Sequence, residues 1–406
     1  MVAIGLALSD AGGVTVAAAA PQTDFAGYQI APSNQPTEVV SLAAGPDGAL
    51  WFTSASQTAN RFGRITTAGT VTTIPMPSTW HLDAPCKCQG GFDHMIPGGG
   101  SLWVSELHDT HAYIGRWSTS RRLLAEYKLP TTGGTPLAWG PDGNVWFSGS
   151  VSSCEGGGCF SGSYIGRLTP KGSISQFRIP DPTNRVADIT AGPDGALWFT
   201  EAPGAHVGRI TTSGTITEFV VPGVAGNLLP TAVQNITAGP DGAVWATLDP
   251  VGIVRIATDG STQSFATPQN VGGCCAGFGP NAINAGPLGS LWFTKSLQSS
   301  VWIGRLSTSG EIAIYPVPAS VAAYGGTVIA AGPDNAVWFG EQNMIVRMSS
   351  TATPATPPTG AGPQAAGVLL LLCGGVLLLL AVALRSRATT RPWPSPGVGQ
   401  DAQTYP

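Results

Sequence analysis

The sequence predicts an all-β protein: a seven-bladed β-propeller of four-stranded blades, closed by an N-terminal strand and followed by one C-terminal transmembrane helix. Three observations predict it. A unit of strands and tight turns occurs seven times, its strongest strand is apolar on both faces, and a long charge-free apolar run follows a Pro/Thr-rich segment near the end of the chain.

The repeating unit is cleanest from Asp188 to Pro222. There a short apolar run leads into Gly-Pro-Asp-Gly, Ala-Leu-Trp-Phe-Thr, a variable gap, Gly-Arg-Ile, a second Gly turn and a Thr/Ile/Phe strand ending in Pro. Its tryptophan recurs at Trp51, Trp103, Trp146, Trp198, Trp245, Trp292 and Trp338, and its arginine at Arg64, Arg116, Arg167, Arg209, Arg255, Arg305 and Arg347. Two markers therefore give the same count. Each unit reads as four strands: an inner one before the Gly-Pro-Asp-Gly turn, a second with the Trp, a third with the Arg and an outer one ending near Pro. In the second strand Leu197 and Phe199 point one way and Trp198 the other, so both faces are apolar, as in a sheet packed between two neighbours. The seventh unit ends after Met348 without an outer strand, and Phe25 to Pro32 has the composition to supply it and close the ring.

Composition agrees. Charged residues are 10% of the chain, against roughly 25% in an ordinary soluble domain, while 55 Gly and 34 Pro ask for many turns. The net charge is -4 and no Lys/Arg run precedes residue 385, which sets nucleic-acid binding aside.

Outside the propeller, assigned to residues 25–348, four segments are expected. Residues 1–24, Ala-rich and apolar, read as a signal-like leader, with a disordered Ala/Gly leader as the alternative. Residues 349–364 form a Pro/Thr-rich linker, 365–384 carry no charge and are long enough to span a bilayer, and 385–406 form a tail. Arg385, Arg387 and Arg391 follow the apolar run and hold that end in the cytoplasm, leaving the propeller outside a cell membrane crossed once. Within the linker, Thr356-Pro357-Pro358-Thr359-Gly360 resembles the Leu-Pro-x-Thr-Gly signal of sortase substrates, with Thr356 in place of Leu, and suggests wall anchoring as a further reading.

The phrases Ile189-Thr-Ala-Gly-Pro-Asp-Gly-Ala-Leu-Trp-Phe-Thr-Glu201 and Val207-Gly-Arg-Ile-Thr-Thr-Ser-Gly-Thr-Ile-Thr-Glu-Phe219 resemble those of the virginiamycin B lyase (streptogramin lyase) family of seven-bladed propellers. The resemblance covers the whole repeat domain. It implies an Mg-dependent elimination that opens the ester bond of a cyclic depsipeptide antibiotic, with a His as base, following Glu-Pro just before an inner strand, and a Glu closing the next Trp-Phe strand. This chain departs from that pattern. The sixth unit has Asn281 at the His position and Lys295 at the Glu position, and the fourth keeps Glu201 but has Ala187 for the His. Only the second unit offers Asp93-His94 before its inner strand and Glu106 after Trp103.

Residues that occur seven times read as scaffold, and those that occur once as candidates for function. In an antiparallel meander the second-to-third connection and the crossing to the next blade lie at one end of the blade. The long insertions, Met76 to Met95, Gly149 to Ser163 and Ala266 to Asn281, all fall there, as do His81, His94, His108, His111 and His206. That looped face is the expected binding face, with Asp93, Asp109 and Glu201 beside the histidines. Its densest group is Asp93, His94, Glu106, His108, Asp109 and His111, a set of ligands that a divalent metal accepts; solvated loop histidines are the alternative. A catalytic reading takes His94, Glu106 and His108, with His94 and Glu106 on the metal, Mg by resemblance. A binding reading holds a small cyclic peptide, a glycan or a protein ligand on the same face. Six cysteines lie before the apolar run. Cys154 with Cys159, and Cys86 or Cys88 with Cys274 or Cys275, are disulfide candidates in an exported domain, and a soft-metal site from Cys86, Cys88, Cys274 and Cys275 competes with them.

Overall fold

The computed structural model describes residues 24–32, 34, 36–56, 60–75, 91–108, 111–131, 136–155, 158–181, 183–222, 232–249, 252–267, 280–297, 300–321 and 325–354, and short paired strands at Gly5–Leu8 and Val14–Ala17. The chain divides into two units, residues 1–359 and 360–406, and everything described lies in the first. The expected membrane helix at 365–384 and the tail at 385–406 lie outside the described residues. Among those residues no helix is long and apolar enough to cross a membrane.

Seven four-stranded antiparallel sheets form the propeller. Blade 1 runs from Thr37–Ala44 to Val71–Pro75 and blade 2 from Gly91–Gly98 through Ser101–His108 and His111–Trp117 to Leu123–Lys128. Blades 3 to 6 follow with inner strands Leu137–Trp139, Arg185–Ala191, Ala232–Ala238 and Ile283–Gly286. Blade 7 comprises Gly325–Ala331, Val337–Glu341 and Met344–Met348, and its outer strand is Phe25–Gln29 from the other end of the described chain. Phe25 lies opposite Met348 and Gln29 opposite Met344, so the edge that blade 7 would expose is paired. Tyr28 stacks on Trp338 across that seam, with ring centroids 5.7 Å apart.

Burial explains the count. All seven marker tryptophans are at most 1% exposed, each packed against the following blade, as Trp198 is against Val244 and Val254. A buried indole N–H needs an acceptor. In five blades the Asp of the preceding turn supplies it, at 2.9 Å from Trp51 and Trp245 and 3.0 Å from Trp146, Trp198 and Trp338. In four of these the second carboxylate oxygen accepts from the marker arginine, Arg64, Arg209, Arg255 or Arg347, at 2.6–2.7 Å. Blades 2 and 6 lack the Asp, and their indoles donate to the carbonyls of Gly98 and Pro287 instead. Burial by itself would raise the carboxyls of Asp47, Asp194, Asp241 and Asp334, but the bonds from Trp and Arg outweigh it and hold them below the ordinary range. Their contribution to stability is therefore present above the ordinary carboxylate range and lost as pH falls through the lowered values.

An aromatic residue of the outer strand covers the Trp from outside, as Phe219 covers Trp198 at 5.5 Å. The same ring abuts the tight turn of the next blade. A Cβ on Gly260, where φ is +88, would collide with Phe219, so both the backbone conformation and the contact require glycine.

One insertion differs from its expected form. Residues 149–155 and 158–163 continue the sheet, because the second and third strands of blade 3 extend to 11 residues each, Val145–Glu155 and Gly158–Leu168. Their register sets Cys154 opposite Cys159.

Removal of the closing strand is expected to weaken the whole ring. A chain begun at Ile30 should lose at least ~3 kcal/mol in urea unfolding, the order of one large buried side chain. Addition of a peptide of residues 24–29 should restore the midpoint.

Candidate functional site

Side chains alternate along the second strand of each blade. The residue after the Trp therefore faces the preceding blade, as Phe199 faces Trp146 and Ile165, and so does the residue three after the Trp, near the end that carries the second-to-third connection. This position holds Ser54, Glu106, Gly149, Glu201, Leu248, Lys295 and Glu341 in blades 1 to 7. Five of the seven are buried polar residues. Buried polar side chains between blades recur at this position.

Blade 2 builds the most elaborate group. Glu106 is 2% exposed, its Oε1 accepts from Trp117 Nε1 at 2.6 Å, and its Oε2 is buried with no hydrogen-bond partner among the described residues. A carboxylate oxygen of Glu106, a ring nitrogen of His108 and a carboxylate oxygen of Glu126 lie within 4.8 Å of one another. His108 Nε2 stands 3.2 Å from Glu126 Oε1, and the imidazole stacks on Tyr113 with centroids 4.1 Å apart and planes 5° from parallel. Burial raises the Glu106 carboxyl well above its ordinary range; Trp117 pulls it down and the charge of Glu126 pushes it up again.

The local sequence explains why blade 2 has room for this. In blades 1, 3, 4 and 6 the ring of the Phe that follows the Trp lies over the glycine that precedes the Arg, at Gly63, Gly166, Gly208 and Gly304. In blade 2 that Phe is Val104, and Trp117 stands where the other blades carry Ile, Leu or Met. The space over Gly115 is filled by the Trp117 indole and the Glu106 carboxylate, and a Cβ on Gly115 would collide with both.

Blade 4 carries a related group at the same register. Glu201 is 0% exposed, with Oε2 accepting from Asn184 Nδ2 at 2.9 Å; Glu201 Oε1, His206 Nδ1 and Glu218 Oε1 are buried with no hydrogen-bond partner among the described residues. Burial raises the Glu201 carboxyl, Asn184 opposes it, and the charge of Glu218 adds to the rise.

His94 does not join Glu106 and His108. It sits at a bulge in the inner strand, its side chain turned the other way, with Nδ1 accepting from Leu137 N–H of blade 3 at 3.3 Å. Burial lowers its pKa to about 4, so it is neutral. The same register position reaches the next blade elsewhere: Ser41 Oγ accepts from Met95 N–H at 3.1 Å, Asp188 Oδ2 from Ile236 N–H at 3.0 Å, and Asn235 Nδ2 donates to the carbonyl of Asn281. His94 is one clasp in a series that joins inner strands around the ring. Burial pushes Asp188, another member, up to about 7 despite the N–H bonds it accepts from Ile236 and Ile189.

The remaining expected residues divide as follows. His111 lies opposite His108 and meets Tyr113 edge-on at 6.5 Å, and His94, His108, His111 and His206 all lie at the same end of their blades. Asp93 falls in the inner strand of blade 2, and nothing of its side chain is described. His81, Cys86, Cys88, Asp109, Cys274 and Cys275 lie outside the described residues. The sequence reading missed Glu126, Trp117, Glu218 and Asn184. A signal existed for two of them: only units 2 and 4 place a Glu on the outer strand opposite the glycine that precedes the Arg, where the other blades of that pattern have Thr73, Gln176 and Ile314.

The sequence profile of the virginiamycin B lyase family matches residues 5–156, 158–277 and 227–364. This chain belongs to that family. A streptogramin B lyase structure is 27% identical with a TM-score of 0.59, over 80% of this chain and 97% of that one. A catalytically inactive His-to-Ala variant of virginiamycin B lyase from Staphylococcus aureus with quinupristin is also 27% identical, with a TM-score of 0.61, over 80% of this chain and 99% of that one. The WD40 propeller domain of Doa1, at 13% identity and a TM-score of 0.53, shares the fold alone. A comparison with curated proteins gives no match.

Set against the virginiamycin B lyase pattern, blade 6 does not suit a magnesium ion. Lys295 is 1% exposed where the resemblance asks for a carboxylate, with Nζ 3.5 Å from Thr267 Oγ1, and burial lowers its pKa. A buried ammonium repels a doubly charged ion, and the amide of Asn281 offers a neutral oxygen without the negative charge of the carboxylates that usually hold magnesium.

A raised carboxyl binds its proton more tightly in the folded chain than in the unfolded one, so stability falls as pH climbs from the ordinary 4.5 of Glu201 to its raised native value. Glu201→Gln is expected to flatten that decline. Its stability relative to the parent, measured by urea unfolding at a series of pH values, should improve steadily as pH rises.

Proposed function

We propose that this chain is a binding module of the virginiamycin B lyase family, a propeller that holds a ligand on its looped face without opening it. The observation that carries the reading is the pair Asn281 and Lys295, an amide and a buried cation at the positions where the resemblance calls for base and metal ligand. His94 offers no substitute. Its Nδ1 already accepts a backbone N–H, so in the neutral ring the proton sits on Nε2 and no ring nitrogen is left to take one from a substrate. A small cyclic peptide is the first ligand to consider, since the matches to the lyase structures run over 97–99% of those chains; a glycan or a protein ligand is the next. The relative with quinupristin also favours a second reading, an Mg-dependent lyase that breaks the carbon–oxygen bond of a cyclic depsipeptide ester.

For location we infer a cell-surface protein. The charge-free run at 365–384, the arginines after it and the Pro/Thr-rich linker before it support a single-pass anchor with the propeller outside and the C-terminus in the cytoplasm, and the segment Thr356 to Gly360 supports sortase-type wall attachment as an alternative anchor.

Incubation with a streptogramin B antibiotic, with and without magnesium, separates the readings. Elimination leaves the mass unchanged, so the linear form is followed by chromatography and fragment spectra, and binding by calorimetry. Saturable binding with the cyclic form intact in both conditions is the expected result. Magnesium-dependent accumulation of the linear form would install the lyase reading in its place.

A further inference from the structure

We propose that Glu106, His108 and Glu126 form a binding site for one divalent transition-metal ion, zinc being the best chemical match, on the side of blade 2 that faces blade 1. The site is distinct from blade 6 and stands whether or not the propeller acts as a binding module.

Two independent observations carry it. The first is convergence: three side chains from the second and outer strands bring one donor atom each within 4.8 Å of the other two. Zinc bonds of about 2.0–2.2 Å place neighbouring donors about 3–4 Å apart, and the exposed Glu126 can close the difference by rotating. The second is the orphaned oxygen. Glu106 is 2% exposed, and its Oε2 accepts from no amide, hydroxyl or ring N–H among the described residues; the polar group it meets is the Glu126 carboxyl, so two carboxyls crowd together at a buried place where a cation would relieve both.

The donor set selects the ion. Two carboxylates balance a doubly charged cation, and the imidazole favours zinc over magnesium or calcium, which prefer oxygen alone. Surrounding groups fix the ligands in place: Trp117 Nε1–H holds the other oxygen of Glu106, and the Tyr113 ring lies flat on His108. Three protein donors leave a coordination position open to water or to a ligand donor atom.

The test uses the full chain, stripped with a chelator and dialysed, then titrated with zinc and separately with cobalt(II). Expected are one zinc per chain and a cobalt spectrum of nitrogen and oxygen ligation without sulfur-to-cobalt charge transfer. His108→Ala and Glu126→Gln should each weaken zinc binding by at least about 100-fold, while Asp259→Ala, at a distant exposed turn, should leave it unchanged. If His108→Ala fails to fold, the exposed Glu126→Gln decides alone. Absence of bound zinc, binding indifferent to Glu126→Gln, or a thiolate band that assigns the metal to cysteines would overturn the proposal.

Discussion

The hydrogen bond from a buried indole is the constraint on which the rest of the structure depends. A tryptophan packed between two sheets gains the burial of a large ring, but its N–H must find an acceptor there, and in five blades the tight turn before it supplies one. An aspartate in that turn serves the indole with one oxygen and in most cases the marker arginine with the other. Turn, second strand and third strand are thereby locked together, and the blade becomes a unit that can only be completed against its neighbours.

Once packing is secured by that set, the residue three past the Trp is released from it. It lies between blades, deep enough to lose water, yet it has no fixed structural task, and its identity ranges from glycine to glutamate to lysine. Buried carboxylates at this position are stabilised only by what the neighbouring strands bring. In blade 4 that is Asn184, and in blade 2 it is Trp117, made possible by a valine in place of phenylalanine and a glycine beneath. The family likeness in sequence is thus carried by scaffold, while the chemistry sits in positions that the scaffold leaves open. That is why a chain can belong to a lyase family and carry an ammonium where the pattern asks for a carboxylate.

The fold was legible because the packing demand is the same in every unit and so writes the same words seven times. The closing strand was legible for a related reason: Met348 ends the chain's last unit one strand short, and Phe25–Gln29 supplies the missing edge. The site was only half legible. Glu106 and His108 were named, because rare charged residues in an uncharged sequence stand out, but Glu126 was passed over on an outer strand that looked ordinary. His94 stands apart from Glu106 and His108 for a physical reason. A clasp to the next inner strand can be made by a hydroxyl, an imidazole, a carboxylate or an amide, as Ser41, His94, Asp188 and Asn235 show, so residues doing one structural job share no letter and each looks unique.

The most direct measurement of the central claim is a double-mutant cycle on blade 5. Asp241→Ala removes the acceptor, Trp245→Phe removes the donor while keeping an aromatic ring, and urea unfolding gives the stability of both singles and the pair. The account predicts a coupling of about 1.5–3 kcal/mol between the two sites, the net worth of a hydrogen bond to a charged group. Additivity to within about 0.3 kcal/mol would mean that the indole N–H does not depend on the carboxylate, and would contradict it.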